Sequence, residues 1–161
     1  MTEDGSSSVA AIRRGLSGVE FFREMIAGRF PLPPMVRLLG LRLVEADMGR
    51  VAFTGTAGPE YYNGMGVAHG GWAATLLDSA LGCAINSAMP AGRSFTTLEL
   101  KINYTRPLRR EVGDVRCEAT VIYAGNRTAT AEARVIGADG KVYAHGTTTC
   151  ILVEHGVVDS R

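Results

Sequence analysis

Between Gly70 and Met89 the apolar positions fall in pairs, Trp72-Ala73, Leu76-Leu77, Ala80-Leu81, Ala84-Ile85 and Ala88-Met89, stepping alternately by one and three residues. That is the period of an α-helix. Most of its circumference is apolar, so the helix belongs inside a protein and something must wrap it. Upstream, Asn63, Gly64 and Gly66 are turn formers, and His69-Gly70-Gly71 leads from that loop into the helix. Val19 to Ala27 carries Val19, Phe21, Phe22, Met25 and Ile26 at helical spacing, with Ser17 as N-cap and Gly28 and Pro31 beyond its end. Pro33 to Gly40 reads as one further helical turn opened by proline and closed by glycine. Leu41 to Glu45 and Arg50 to Ala57, joined through Asp47-Met48-Gly49, read as a hairpin.

After the central helix the pattern changes period. Leu98, Leu100, Ile102 and Tyr104 alternate with Glu99, Lys101, Asn103 and Thr105, which predicts a half-buried strand ending at Pro107. Val112 to Tyr123, Arg127 to Ile136 and Lys141 to Val153 are three more strands, joined by Gly125-Asn126 and Ala138-Asp139-Gly140, and should form an antiparallel meander. The expected architecture is α+β: an antiparallel sheet of about six strands wrapped around one long central helix. Residues 17–155 are expected to make a single domain behind an N-terminal tail over residues 1–16.

Composition narrows the setting. A chain of 161 residues with 46% hydrophobic and 20% charged side chains can build one sizeable core. A net charge of +1 gives no general field for nucleic acid or anionic membrane, so neither is expected as a partner. Cys83, Cys117 and Cys150 are far apart and odd in number, which suits a reduced cytoplasm rather than a disulfide framework or zinc ribbon. His69, His145 and His155 are isolated, and no metal site is expected. The N-terminus is acidic and polar, unlike a signal peptide, and no run of about 18 apolar residues provides a membrane span.

Asn63, His69-Gly70-Gly71 and Asp78 at this spacing, followed by Thr97-Leu98-Glu99-Leu100, Tyr104-Thr105-Arg106-Pro107 and Gly125-Asn126-Arg127, resemble the hot-dog-fold acyl-CoA thioesterases of the PaaI-like group. The resemblance runs from about Leu39 to Leu152 and is most specific at the Asn63-to-Asp78 spacing. It implies hydrolysis of an aromatic or medium-chain acyl-CoA to free acid and CoA. CoA enters as part of the substrate, and no separate cofactor is implied.

Asp78 is the only charged side chain between Gly70 and Met89, and an interior carboxylate is costly unless paired or used. The resemblance makes it the nucleophile or general base. Gly70 and Gly71 open the positive end of the helix to an approaching oxygen, as an oxyanion hole requires. Asn63 can donate an amide hydrogen to the same carbonyl region, and His69 can fix the loop through a backbone contact. Each residue has a plainer reading: the glycines for tight packing, His69 as a helix cap, Asp78 as an interfacial hydrogen-bond partner.

Gly70 and Asp78 are eight residues apart, hence about 12 Å along one helix, too far for both to reach one reacting carbon. Two such helices antiparallel about a two-fold axis resolve this, so a homodimer with shared active sites is expected, and beyond it a dimer of dimers. The stripe Thr75, Ser79, Gly82 and Asn86 is small enough for close approach beside Asp78. Thr97 matches the family position that holds the attacking water. Strict alternation instead puts Thr96 on the face of Leu98 and Leu100, so either the strand is bulged or irregular there or its apolar face is not the one that meets Asp78. Among Arg106, Arg109, Arg110, Arg116 and Arg127, the last is the preferred phosphate contact, with Arg106 also a candidate. Two other readings stand beside hydrolysis: an acyl-CoA binding or sensing module, and a hot-dog hydratase or dehydratase.

Overall fold

The computed structural model describes residues 15–154. Residues 1–14 of the expected tail and His155 lie outside them. Ser17 caps α1 (Gly18–Ile26) through a reciprocal box with Glu20, satisfying two backbone donors at once. The short α2 (Pro34–Leu38) opens on proline as expected. The hairpin β1 (Arg42–Asp47) and β2 (Arg50–Gly55) precedes the long helix α3 (Gly70–Ser87). Four strands then follow: β3 (Arg93–Tyr104), β4 (Val115–Ala124), β5 (Thr128–Gly137) and β6 (Val142–Glu154). Together the strands make one antiparallel six-stranded sheet in the order β1-β2-β4-β5-β6-β3. β4, β5 and β6 form the expected meander, and β3 takes the far edge beside β6. β4 starts later than the expected Val112, because a 3-10 turn over Arg110–Val112 ends in Gly113 at φ +65°, where a strand cannot continue.

α3 packs against all six strands, and Leu76, Leu77, Ala80, Leu81, Ala84 and Ile85 are fully buried beneath the sheet. The inner face of β5 is built from Ala129, Ala131 and Ala133, all buried, so the sheet can curl close around the helix. α1 lies across the end of α3, where the Gly18 N–H donates to the Met89 carbonyl at 3.0 Å. A Cβ at Gly18 would sit 1.7 Å from the Asn86 carbonyl oxygen. Gly18→Ala is therefore expected to cost about 1–3 kcal/mol, read as a lower urea midpoint at unchanged m-value. An unchanged midpoint would mean that α1 does not dock there in solution. No helix of the described residues is long and apolar enough to cross a membrane.

The strand that looked most regular in the sequence also departs from alternation. Thr97 pairs with Cys150 and Glu99 with Thr149, which leaves Leu98 as the extra residue of a bulge. Leu98 is accordingly 59% exposed, so its expected place on the buried face is corrected. The inward side reads Phe95, Thr97, Leu100 and Ile102, the parity changing at the bulge.

Candidate active site

The loop before α3 is tied by its own backbone. Tyr62 and Ala68 bridge, the Asn63 N–H donates to the Val67 carbonyl at 2.8 Å, and Gly66 turns the chain at φ +72°. Asn63 Oδ1 accepts from the Met65 N–H at 2.9 Å and the Val67 N–H at 3.5 Å. Its carbonyl end is thus committed to the loop, and Nδ2 is the donating end that remains on the cleft Asn63 lines.

His69 is the N-cap of α3, with Nδ1 accepting from the Gly71 N–H at 2.9 Å. That bond fixes the tautomer, leaving the proton on Nε2. The cap also separates the two glycines. Gly71 gives its N–H to His69, whereas the Gly70 N–H has no hydrogen-bond partner among the described residues. Gly70 is the free donor at the positive end of the helix. Tyr104, whose role the sequence did not reveal, holds this point: its hydroxyl donates to the Gly70 carbonyl at 2.9 Å, and a Cβ at residue 70 would lie 3.2 Å from its ring. The available signal was an aromatic closing β3 just before Thr105-Arg106-Pro107.

A cleft of about 380 Å³ opens beside Gly70 and Asn63, with Met65, Val67, Ala73 and Leu108 among its apolar lining. Neither Asp78 nor Thr97 lines it. They meet each other instead, Thr97 Oγ1 donating to Asp78 Oδ1 at 3.2 Å. The bulge at Leu98 is what turns Thr97, and not the exposed Thr96, toward the helix. Below this pair, burial pushes the Cys150 thiol up, with the Asp78 charge adding to it, so Cys150 stays a neutral thiol.

Asp78 is half-buried, not interior as its apolar neighbours suggested. It lies on a stripe of α3 that the sheet leaves open, formed by Gly71, Ala74, Thr75, Asp78, Ser79 and Cys83. This corrects the expected stripe: Gly82 is covered by Phe95, whose ring would be 2.5 Å from an added Cβ, and Asn86 is covered by Gly18.

The arginines sort by their partners. Arg116 is consumed by Glu45 at 2.6 Å and Glu118 at 2.8 Å. Arg106 donates through Nη1 to the Val142 carbonyl at 2.6 Å and borders the Gly70 cleft. Exposed Arg127 accepts the Leu152 N–H on its carbonyl at 2.8 Å, at the opposite end of β6. Val142 and Leu152 are ten residues apart on that strand, roughly 33 Å, so one chain does not bring Arg106 and Arg127 together.

Residues 65–144 match the model of the thioesterase superfamily. A conserved protein of Pseudomonas aeruginosa is 34% identical, over 76% of this chain and 95% of that one, and superposes with a TM-score of 0.71. A Ralstonia eutropha protein provisionally named a thioesterase, phenylacetic acid degradation-related, is 26% identical over 81% of this chain and 98% of that one, with a TM-score of 0.73. A curated protein of Halobacterium salinarum provisionally named an esterase is 40% identical over 75 residues, which are 45% of this chain. The match spans 48% of that curated relative's length. The chain belongs to the thioesterase superfamily, with the hot-dog fold, in its PaaI-like group.

Proposed function

We propose that the protein hydrolyses the thioester of an aromatic or medium-chain acyl-CoA at a site shared between two copies of the chain. The observation that carries this reading is the separation of two half-sites: Asn63 and Gly70 line a cleft without a carboxylate, and Asp78, which accepts from Thr97 of β3, lies on an open helix stripe. Antiparallel apposition of two α3 helices about a two-fold axis brings the Asp78 half of one copy to the Gly70 half of the other. Small side chains along the stripe permit that approach.

In such a site the thioester oxygen takes the Gly70 N–H and an Asn63 Nδ2 hydrogen, and negative charge building on it is stabilised there. Thr97 and Asp78 hold a water, Asp78 accepts its proton, and the resulting oxygen attacks the carbonyl carbon. The C–S bond breaks as the tetrahedral intermediate collapses, the CoA thiolate leaves, and the carboxylic acid remains. Attack by the Asp78 carboxylate itself, followed by hydrolysis of the anhydride, gives the same products. A hydratase reading is disfavoured by His69, whose Nδ1 is committed to Gly71. The wide spacing and odd number of Cys83, Cys117 and Cys150, the last two buried, support a reduced, cytoplasmic setting. Thiol release from a panel of benzoyl-, phenylacetyl- and C4 to C12 acyl-CoA esters tests the proposal. Turnover should favour aromatic or medium acyl groups. Binding of the esters without thiol release would make the protein a sensing module instead.

A further inference from the structure

A second, larger cleft of about 760 Å³ adjoins the Gly70 cleft, and Arg106, Pro107 and Tyr143 wall both. The shared wall is held firmly. The Thr105 and Arg106 N–H groups donate to the Tyr143 carbonyl at 2.9 and 3.2 Å, and Thr105 Oγ1 donates to the Val142 carbonyl at 2.7 Å. From the other side, the Ala68 N–H donates to the Leu108 carbonyl at 2.9 Å, joining the same segment to the loop before α3. A ligand anchored in the outer cleft is thereby registered against Gly70.

The outer cleft presents Arg106, Arg109 and Lys141 against Glu111 and Asp139. Asp139 is already answered: Lys141 Nζ lies 3.1 Å from it, the Tyr143 hydroxyl donates at 3.1 Å and the Lys141 N–H at 3.0 Å. The Lys141 backbone bond is the main reason its carboxyl sits below the usual range, with the Lys141 and Tyr143 side chains adding to it. Arg109 differs from the other cations. Its guanidinium has no hydrogen-bond or ion-pair partner among the described residues. Such a fork matches two oxygens of a phosphate group.

Resting on the acyl-CoA reading above, we propose that this outer cleft binds the phosphate-bearing nucleotide end of the substrate, with Arg109 as the principal phosphate contact and Arg106 and Lys141 beside it. The pantetheine arm then crosses the Pro107–Tyr143 wall and delivers the thioester to Gly70. Arg109, and not Arg127, sets the preference for CoA esters.

Arg109→Ala and Arg127→Ala are compared with wild type on one acyl group carried by CoA, by pantetheine and by an acyl carrier protein. Binding of 3′,5′-ADP is measured by calorimetry on the same proteins. Arg109→Ala is expected to raise KM for the CoA ester roughly tenfold or more relative to its change on the pantetheine ester, and to weaken 3′,5′-ADP by a like factor. Lys141→Met should shift both readings the same way, and it replaces Arg109→Ala should that variant fail to fold. Equal changes on the CoA and pantetheine esters would overturn the assignment. So would a selective loss in Arg127→Ala alone, or a loss confined to the carrier-protein substrate. The nucleotide titration separates the two proposals: Arg109-dependent 3′,5′-ADP binding without thiol release sinks the hydrolase reading only. Thiol release with 3′,5′-ADP binding unaffected by either variant sinks the phosphate cleft only.

Discussion

Asp78→Asn is expected to lower kcat by about 10² to 10⁴ while leaving the fold intact, the range associated with loss of a positioned acid-base group. Asparagine keeps the volume and an oxygen that can still accept from Thr97 Oγ1, so the pairing now seen at 3.2 Å has a substitute. Removed are the negative charge and the capacity to take a proton from water or to attack carbon. Because Asp78 lies on the open stripe and not under the sheet, the exchange leaves no unpaired group in the core. Thiol release at saturating acyl-CoA gives kcat, and thermal melts of both proteins check the fold. Wild-type turnover by a correctly folded Asp78→Asn would remove the carboxylate from the mechanism.

The elements were legible because their periods are strong. Paired apolar residues at one and three announce α3, and Ser17 as N-cap announces the start of α1 through chemistry local to one turn. The hairpin and the meander follow from turn residues and alternation. The bulge was not legible, since one extra residue changes the parity of everything beyond it and leaves no mark in a pattern read by period alone. Only the register with β6, Thr97 to Cys150 and Glu99 to Thr149, shows that Leu98 faces out. The choice between Thr96 and Thr97 therefore waited on pairing with a strand about fifty residues away.

Burial of α3 shows the same limit. A helix whose side chains are apolar or small nearly all round does not say which stripe the sheet leaves uncovered, and Gly82 and Asn86 were covered by Phe95 and α1. Arginines are the hardest to sort from sequence, because their availability depends on distant carboxylates. Glu45 and Glu118 take Arg116, and Arg109 is left without a partner among the described residues. By contrast, the spacing of Gly70 and Asp78 carries its own geometric consequence, since a rise of about 1.5 Å per residue keeps them apart in any straight helix.

That consequence yields a restoration of activity from two dead proteins. Asp78→Asn removes the base, and Asn63→Asp removes the amide donor while keeping an oxygen for the Met65 and Val67 N–H groups that shape the loop. Each variant alone is expected to be nearly inactive. In a two-fold dimer with shared sites, a mixed pair holds one site with both lesions and one with neither. Random exchange makes about half the dimers mixed, and half of their sites are intact, so activity should recover to roughly a quarter of wild type. Native mass spectrometry of the mixture verifies that subunits have exchanged. Exchanged mixtures that stay as inactive as the separate variants would place Asn63, Gly70 and Asp78 in a site built within one chain, and the two-copy arrangement would fall.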